Sequence, residues 1–231
     1  MTECEQIKQE CIKRGITRLC HFTPSRKLAH ILSGQKGILA TSKLERQERD
    51  IFNPTDIDRY DGRKDYICCS IEYPNGWYFD KKRSSEVLFK DWVVLFISPG
   101  YLWQTGTLFC YRNASASFGR FIQGGIKGFA AMYAAEIDGT YRIQRSRNHL
   151  QSCPTDNQAE VLIPDTIGIA DIIGVAVENE DQVVRELKRF DLMNLETDIS
   201  FFICPDLYNK HRLSQLISTG IKPSETRYVG V

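Results

Sequence analysis

Net charge is nearly absent from this sequence: 30 Lys and Arg stand against 29 Asp and Glu, leaving a formal +1. A molecule-wide polycation is excluded, so any contact with nucleic acid must come from a local patch. Long hydrophobic runs are also missing. The longest, such as Trp92–Ile97, fall far short of the ~20 residues that span a bilayer. The opening Met-Thr-Glu-Cys-Glu-Gln-Ile-Lys is polar, carries both signs and has no apolar export core. These features point to a cytoplasmic protein with no membrane partner.

Several chemical signatures are absent as well. The eight cysteines include no Cys-x-x-C, and no Cys/His group has zinc spacing, so no metal site is expected. Cys20, Cys68, Cys69, Cys110 and Cys204 lie in apolar runs and read as reduced core residues. Gly119, Gly124, Gly125 and Gly128 do not make a phosphate loop, because Gly125 stands where that motif needs lysine. Asp56, Asp58, Asp61 and Asp65 do not make a calcium loop, because Tyr60 occupies its fifth position. They read instead as a solvated acidic loop. Gly-x-Ser-x-Gly and His-Glu-x-x-His are missing, which argues against esterase and metalloprotease chemistry.

What remains is a chain of 231 residues, 42% apolar, with enough material for a packed core. Cys4, Ile7, Cys11 and Ile12 recur at helical spacing, and Gly15 is a stop. Ile16 to Phe22 reads as a strand, with Thr23-Pro24 as the cap and first residue of a helix running through Leu28, Ile31 and Leu32. Residues 41–64 are charged and aperiodic, a loop long enough to be functional. Strands are expected at 66–73, 92–98, 107–111, 159–163, 172–177 and 200–203. Helices are expected at 121–135, 181–190 (Val183, Val184 and Leu187 inward) and 207–217. Helices do not alternate regularly with strands, so the class is α+β rather than a doubly wound sheet. No repeat or linker divides the chain, which reads as one domain, 1–231.

Three segments hold polar residues where a plain core would not. In Leu19-Cys20-His21-Phe22-Thr23, strand alternation puts His21 and Thr23 on one face, where imidazole and hydroxyl can hydrogen-bond a ribose or an amide. Arg59 and Arg63 precede a strand on a long loop, a place from which a guanidinium can clamp phosphates. In Gln158-Ala159-Glu160-Val161-Leu162, Gln158 and Glu160 share one face ahead of an apolar strand. Just upstream, 141–149 holds Tyr141, Arg142, Arg145 and Arg147 with no acid. That composition suits a nucleic-acid contact, and suits a solvated basic face equally well.

In this order, these segments resemble the DarT family of bacterial DNA ADP-ribosyltransferase toxins. His21-Phe22-Thr23, then Leu28-Ala29-His30-Ile31-Leu32, then Gly37-Ile38-Leu39, match its opening elements. Arg59 with Asp65-Tyr66-Ile67 matches its arginine loop, and Gln158-Ala159-Glu160-Val161-Leu162 its last motif. The resemblance implies an ADP-ribosyltransferase-like fold, with central mixed or antiparallel sheets and flanking helices. It implies transfer of ADP-ribose from NAD to a base in single-stranded DNA, with release of nicotinamide and no metal. Glu160 and Arg59 would be catalytic. His21, Phe22, Thr23, His30, Leu39 and Arg59 would bind NAD. Gln158, Tyr141, Arg142, Arg145 and Arg147 would meet the DNA. The partner would be an antitoxin macrodomain protein of the DarG kind. Tyr66-Ile67-Cys68-Cys69-Ser70 through Pro74-Asn75 departs from the aromatic-proline strand of thymidine-modifying members and looks closer to the guanine-modifying branch. Transfer to RNA or to protein, and a non-catalytic nucleic-acid binding module, are the competing readings.

Overall fold

The computed structural model describes residues 1–33, 36–44, 59–139 and 142–230. Helix α1 (Glu3–Arg14) starts in a capping box, with Thr2 and Glu5 exchanging hydrogen bonds, and stops at Gly15, whose φ of 68° is left-handed. Strand β1 (Leu19–Pro24) follows, then a short 3-10 turn, α2 (Leu28–Ser33) and β2 (Ile38–Leu39). β3 (Tyr66–Ile71) leads to α3 (Gly76–Ser85) and then to β4 (Trp92–Ile97), β5 (Leu108–Cys110), β6 (Ile122–Gly124) and α4 (Gly125–Ala131). β7 (Glu136–Ile137) and β8 (Ile143–Gln144) form a small ribbon. β9 (Glu160–Pro164), β10 (Thr166–Ile167), β11 (Ile172–Val177), α5 (Glu180–Leu192), β12 (Phe201–Ile203), α6 (Lys210–Thr219) and β13 (Thr226–Arg227) complete the chain.

Nine strands form one sheet in the order β13-β12-β11-β4-β1-β3-β9-β5-β6. Among the described residues only β11 and β12 run parallel within it, so the sheet is mixed as expected. Strand alternation divides its side chains between two cores. Val93, Leu95 and Ile97 of β4 join Leu19, Phe109, Phe129 and Val183 on the face covered by α1, α2, α4 and α5. Trp92, Val94 and Phe96 join Cys20, Phe79, Leu207 and Leu213 on the face covered by α3 and α6. Six of the eight cysteines are buried, and all eight are free thiols.

Several expectations are corrected. Thr23 and Pro24 do not start a helix: β1 runs through both, because all six of its residues pair with β4. The stretch 121–135 is β6 followed by the short α4, since Ile122 to Gly124 pairs with β5. On α5, Val184 and Leu187 are exposed, and the buried side is Gln182, Val183, Glu186 and Phe190. The buried Gln182 donates to the Trp92 carbonyl at 2.8 Å and Glu186 pairs with Arg189, so polar partners displace the apolar stripe.

β1 pairs with β4 along its full length but with β3 only at Leu19–Ile71 and Cys20–Ser70. Beyond Cys20 the two strands part. β3 keeps its other partner, β9, from Tyr66 to Cys69. One edge of β3 is therefore left open in the middle of the sheet.

Candidate functional site

A cavity of about 400 Å³ fills the gap between β1 and β3, a volume suited to a dinucleotide-sized ligand. Its outer wall is β2, held by antiparallel pairing to β10. That pairing needs Gly37: φ is 72°, and a Cβ there would sit 2.2 Å from the Ile167 carbonyl oxygen. His21, Phe22, Thr23, His30, Leu39, Arg59 and Glu160 all line this one cavity.

The open edge of β3 organises the polar groups. Continuing the register would put Cys68 opposite Phe22, and the His21 side chain takes that carbonyl instead, Nδ1 to oxygen 2.9 Å. Burial lowers the imidazole's basicity, so the ring is neutral near pH 7. A carbonyl only accepts, so Nδ1 carries the proton and Nε2 is left as an acceptor. Two residues back along the same edge, the Tyr66 carbonyl accepts from Arg59 Nη1 at 2.5 Å. Asp61 takes the rest of the guanidinium, from Nε at 2.9 Å and Nη2 at 2.8 Å. Asp61 is thus no solvated acid; it is buried because its bidentate partner is.

Glu160, the first residue of β9, closes the far side and is 6% exposed. Its Oε2 accepts from the Ala114 amide at 2.7 Å and its Oε1 from Asn113 Nδ2 at 3.2 Å. Burial pushes its carboxyl up to about 7; the Ala114 amide, Asn75 and Arg59 pull against that, while Asp61 adds to it. Lys27 also lines the cavity, and burial lowers its ammonium to about 8. Phe22 stacks on Phe79 at 4.8 Å and meets Tyr78 edge-on, giving the cavity an aromatic wall. Among the described residues, no group of three His, Cys, Asp or Glu could hold a metal ion, and no helix is long and apolar enough to cross a membrane.

The residues assigned to nucleic acid are not gathered with these. Gln158 lies in a turn ahead of β9, its main-chain N–H donating to Asp156 Oδ1, and does not share a strand face with Glu160. Arg145 is turned inward, donating to the carbonyls of Cys153 and Leu150 and to Thr155, so it braces the chain rather than facing solvent. Arg142 is exposed and pairs with Glu136 and Asp138; Arg147 is exposed. Tyr141 lies outside the described residues, as do Asp56 and Asp58. In their place, two exposed aromatics adjoin cavity-lining residues: Tyr60 (59%), between Arg59 and Asp61, and Phe118 (82%), whose main-chain N–H donates to the Ser115 carbonyl. Ser117 and Phe118 both hold left-handed φ, at 52° and 56°. The turn they form is pressed on the arginine loop, since a Cβ on Gly119 would lie 2.7 Å from the Asp61 carbonyl oxygen. Arg63 and Arg120, both exposed, flank them.

Sequence reasoning missed Asp61, Asn113, Ala114 and Asn75. For Asn75 a signal existed: an N-cap residue followed by a stretch ending in Lys82 and Arg83. For Ala114 none did, because its contribution is a backbone amide.

Residues 20–208 match the family model described as DarT, ssDNA thymidine ADP-ribosyltransferase. The chain belongs to the DarT family. Solved DarT structures share its fold. Thermus sp. 2.9 DarT in complex with NAD+ superposes with a TM-score of 0.53 at 20% identity, over 84% of this chain and 98% of that one. The same protein in complex with ADP-ribosylated ssDNA gives 0.54 at 18%, over 84% and 97%. Thermosipho africanus DarTG in complex with ADP-ribose gives 0.58 at 16%, over 83% of this chain; the chain spans about half, 51%, of that protein. No curated protein matches it in sequence.

Proposed function

We propose that this DarT-family chain transfers ADP-ribose from NAD to a base of single-stranded DNA, releasing nicotinamide. The observation that carries the reading is the meeting of Glu160, Arg59 and His21 around one cavity. The C1′–N bond to nicotinamide breaks, positive charge builds on the ribose, and a base atom attacks C1′. Ionised Glu160 stabilises that charge, holds a ribose hydroxyl and accepts the proton of the attacking base. Arg59, fixed by Asp61 and Tyr66, presents its charge to the diphosphate. His21 Nε2 and Thr23 hold the other ribose, with Phe22, His30 and Leu39 around the adenosine.

The rim takes the DNA strand. Phe118 and Tyr60 offer stacking faces, and Arg63 and Arg120 offer charge to phosphates, as single-strand binding requires. Gln158, Arg142 and Arg147 remain the outlying contacts. An unpaired base enters such a site without the cost of leaving a duplex. We assign guanine as the acceptor from the sequence of the Tyr66–Asn75 segment; the matched family's description names thymidine, and that is the opposing outcome. The Thermosipho DarTG relative supports the reading of a toxin paired with a DarG-like macrodomain antitoxin.

The test is incubation of the purified protein with NAD and oligonucleotides containing a single G or a single T, as DNA and as RNA, read by mass spectrometry. An ADP-ribose adduct on G-containing DNA alone is expected. No adduct on any oligonucleotide overturns the nucleic-acid reading.

A further inference from the structure

Asn75 is 1% exposed, and the two ends of its side chain have different fates. Oδ1 accepts the Tyr78 amide at 3.1 Å and caps α3. Nδ2 is buried and meets no partner in full hydrogen-bond geometry, yet it lies close enough to Glu160 to draw that carboxyl down. Buried donors are ordinarily satisfied, and one left open beside a reactive group calls for an account. Its surroundings supply one. The Asn75 main-chain N–H donates to Ser70 Oγ at 3.1 Å. Cys69 is paired with Val161, so the same register brings Ser70 opposite Glu160. Asn75 is thereby fixed against the strand position that faces the carboxyl.

We propose that Asn75 is a positioning residue for Glu160, its Nδ2 serving as a third amide donor, after Ala114 and Asn113, to the carboxylate. The proposal rests on the reading of Glu160 as the catalytic group and adds what keeps it charged. The charged and titratable groups around Glu160 show why amides are needed. Arg59 is the cation of the arginine loop, but Asp61 holds it bidentately and itself opposes ionisation. Cys68, half-buried, and Cys69, buried, on β3 and the buried Cys110 on β5 are thiols whose acidity desolvation suppresses, so they bring no positive charge. Amide dipoles are what remains to offset the loss of water around the carboxylate.

Asn75→Asp tests this. Asp caps a helix as well as Asn, so α3 keeps its start, but the donor becomes a second carboxyl. The Glu160 titration is read by 13C NMR on glutamate-labelled protein, with Glu160→Gln identifying the resonance. In Asn75→Asp the midpoint is expected to rise by one pH unit or more. The acid limb of NAD-dependent transfer moves with it, turnover at pH 7 falls about fivefold or more and recovers at higher pH, and KM for NAD stays within about twofold. Should Asn75→Asp fail to fold, Asn75→Ser keeps a capping oxygen without the amide, and the same shift, smaller, is expected. An unmoved Glu160 midpoint in a folded variant overturns the proposal, even where its thermal midpoint has changed. A moved midpoint in a protein whose wild type modifies no oligonucleotide upholds the Asn75–Glu160 contact and defeats only the functional reading.

Discussion

Arg59 and Asp61 grip each other through two parallel hydrogen bonds while their side chains are 5% and 4% exposed. An ion pair this deeply buried is costly to break from one side, because the surviving charge loses its partner without regaining water. Arg59→Ala is expected to destabilise the protein by about 3–5 kcal/mol in urea denaturation. The double variant Arg59→Ala, Asp61→Ala should recover a large part of that loss. A double variant no more stable than the single would show that the pair is not the cause. Activity lost in Arg59→Ala alone therefore mixes folding with chemistry.

Under the proposed function, Glu160 sets activity against stability. Its carboxyl is raised from 4.5 to about 7. Below the ordinary carboxylate range it is neutral in both folded and unfolded chains and costs nothing. As pH rises the unfolded carboxyl ionises first, so stability falls up to about pH 7 and the penalty then stays constant. Glu160→Gln is expected to be more stable than wild type at pH 8, by on the order of 2–3 kcal/mol, and equal to it near pH 4. Transfer should fall about 100- to 1000-fold in the same protein. Thermal melts at the two pH values check the first half.

The pH dependence of turnover follows from the same group. Transfer that needs ionised Glu160 should show a single acid limb centred near pH 7. His21 adds no second limb there, since burial keeps its ring neutral to lower pH. Nicotinamide release measured from pH 5 to 9 is the readout, and a limb near pH 4.5 would contradict the buried-carboxyl account.

Phe118→Ala separates the two substrates. Loss of one stacking face costs about 1–3 kcal/mol, so KM for an oligonucleotide is expected to rise at least fivefold. KM for NAD should not change, because the residue is outside the cavity lining. Equal effects on both would remove Phe118 from the DNA face.

Gly37→Ala and Gly15→Ala make a matched pair. Both glycines hold left-handed φ, at 72° and 68°, but only Gly37 has a backbone atom where Cβ would go. Gly15→Ala is expected to cost about 1 kcal/mol. Gly37→Ala should cost more and weaken NAD binding, because β2 must leave β10. Calorimetric titration with NAD distinguishes them.

Much of the candidate site's cavity lining was legible because its polar side chains sit on strong local patterns. His21 and Thr23 end an apolar strand, Glu160 begins another, and Ile172 to Val177 reads as a strand over its whole observed length. The less legible parts depend on partners distant in sequence. Asp61 resembles its acidic neighbours until Arg59 is folded onto it. Gln158 looks like a strand residue until Asp156 turns the chain ahead of β9. Arg145 looks like a DNA contact until the carbonyls of Leu150 and Cys153 claim it. α3 went unread because Trp77, Tyr78 and Phe79 carry strand propensity and only the cap at Asn75 marks a helix.

The place where β1 stops pairing with β3 has a consequence for how this protein tolerates change. The hollow comes from two interrupted rungs of main chain, so the opening does not depend on any one side chain having been made small. Substitutions at its walls should alter which molecules fit while the opening persists, and new specificities could arise there without rebuilding the scaffold. The same open rungs set a limit: the Cys68 and Tyr66 carbonyls must find donors somewhere, and a variant lacking both His21 and Arg59 would invite water, or a stray strand, into the middle of the sheet.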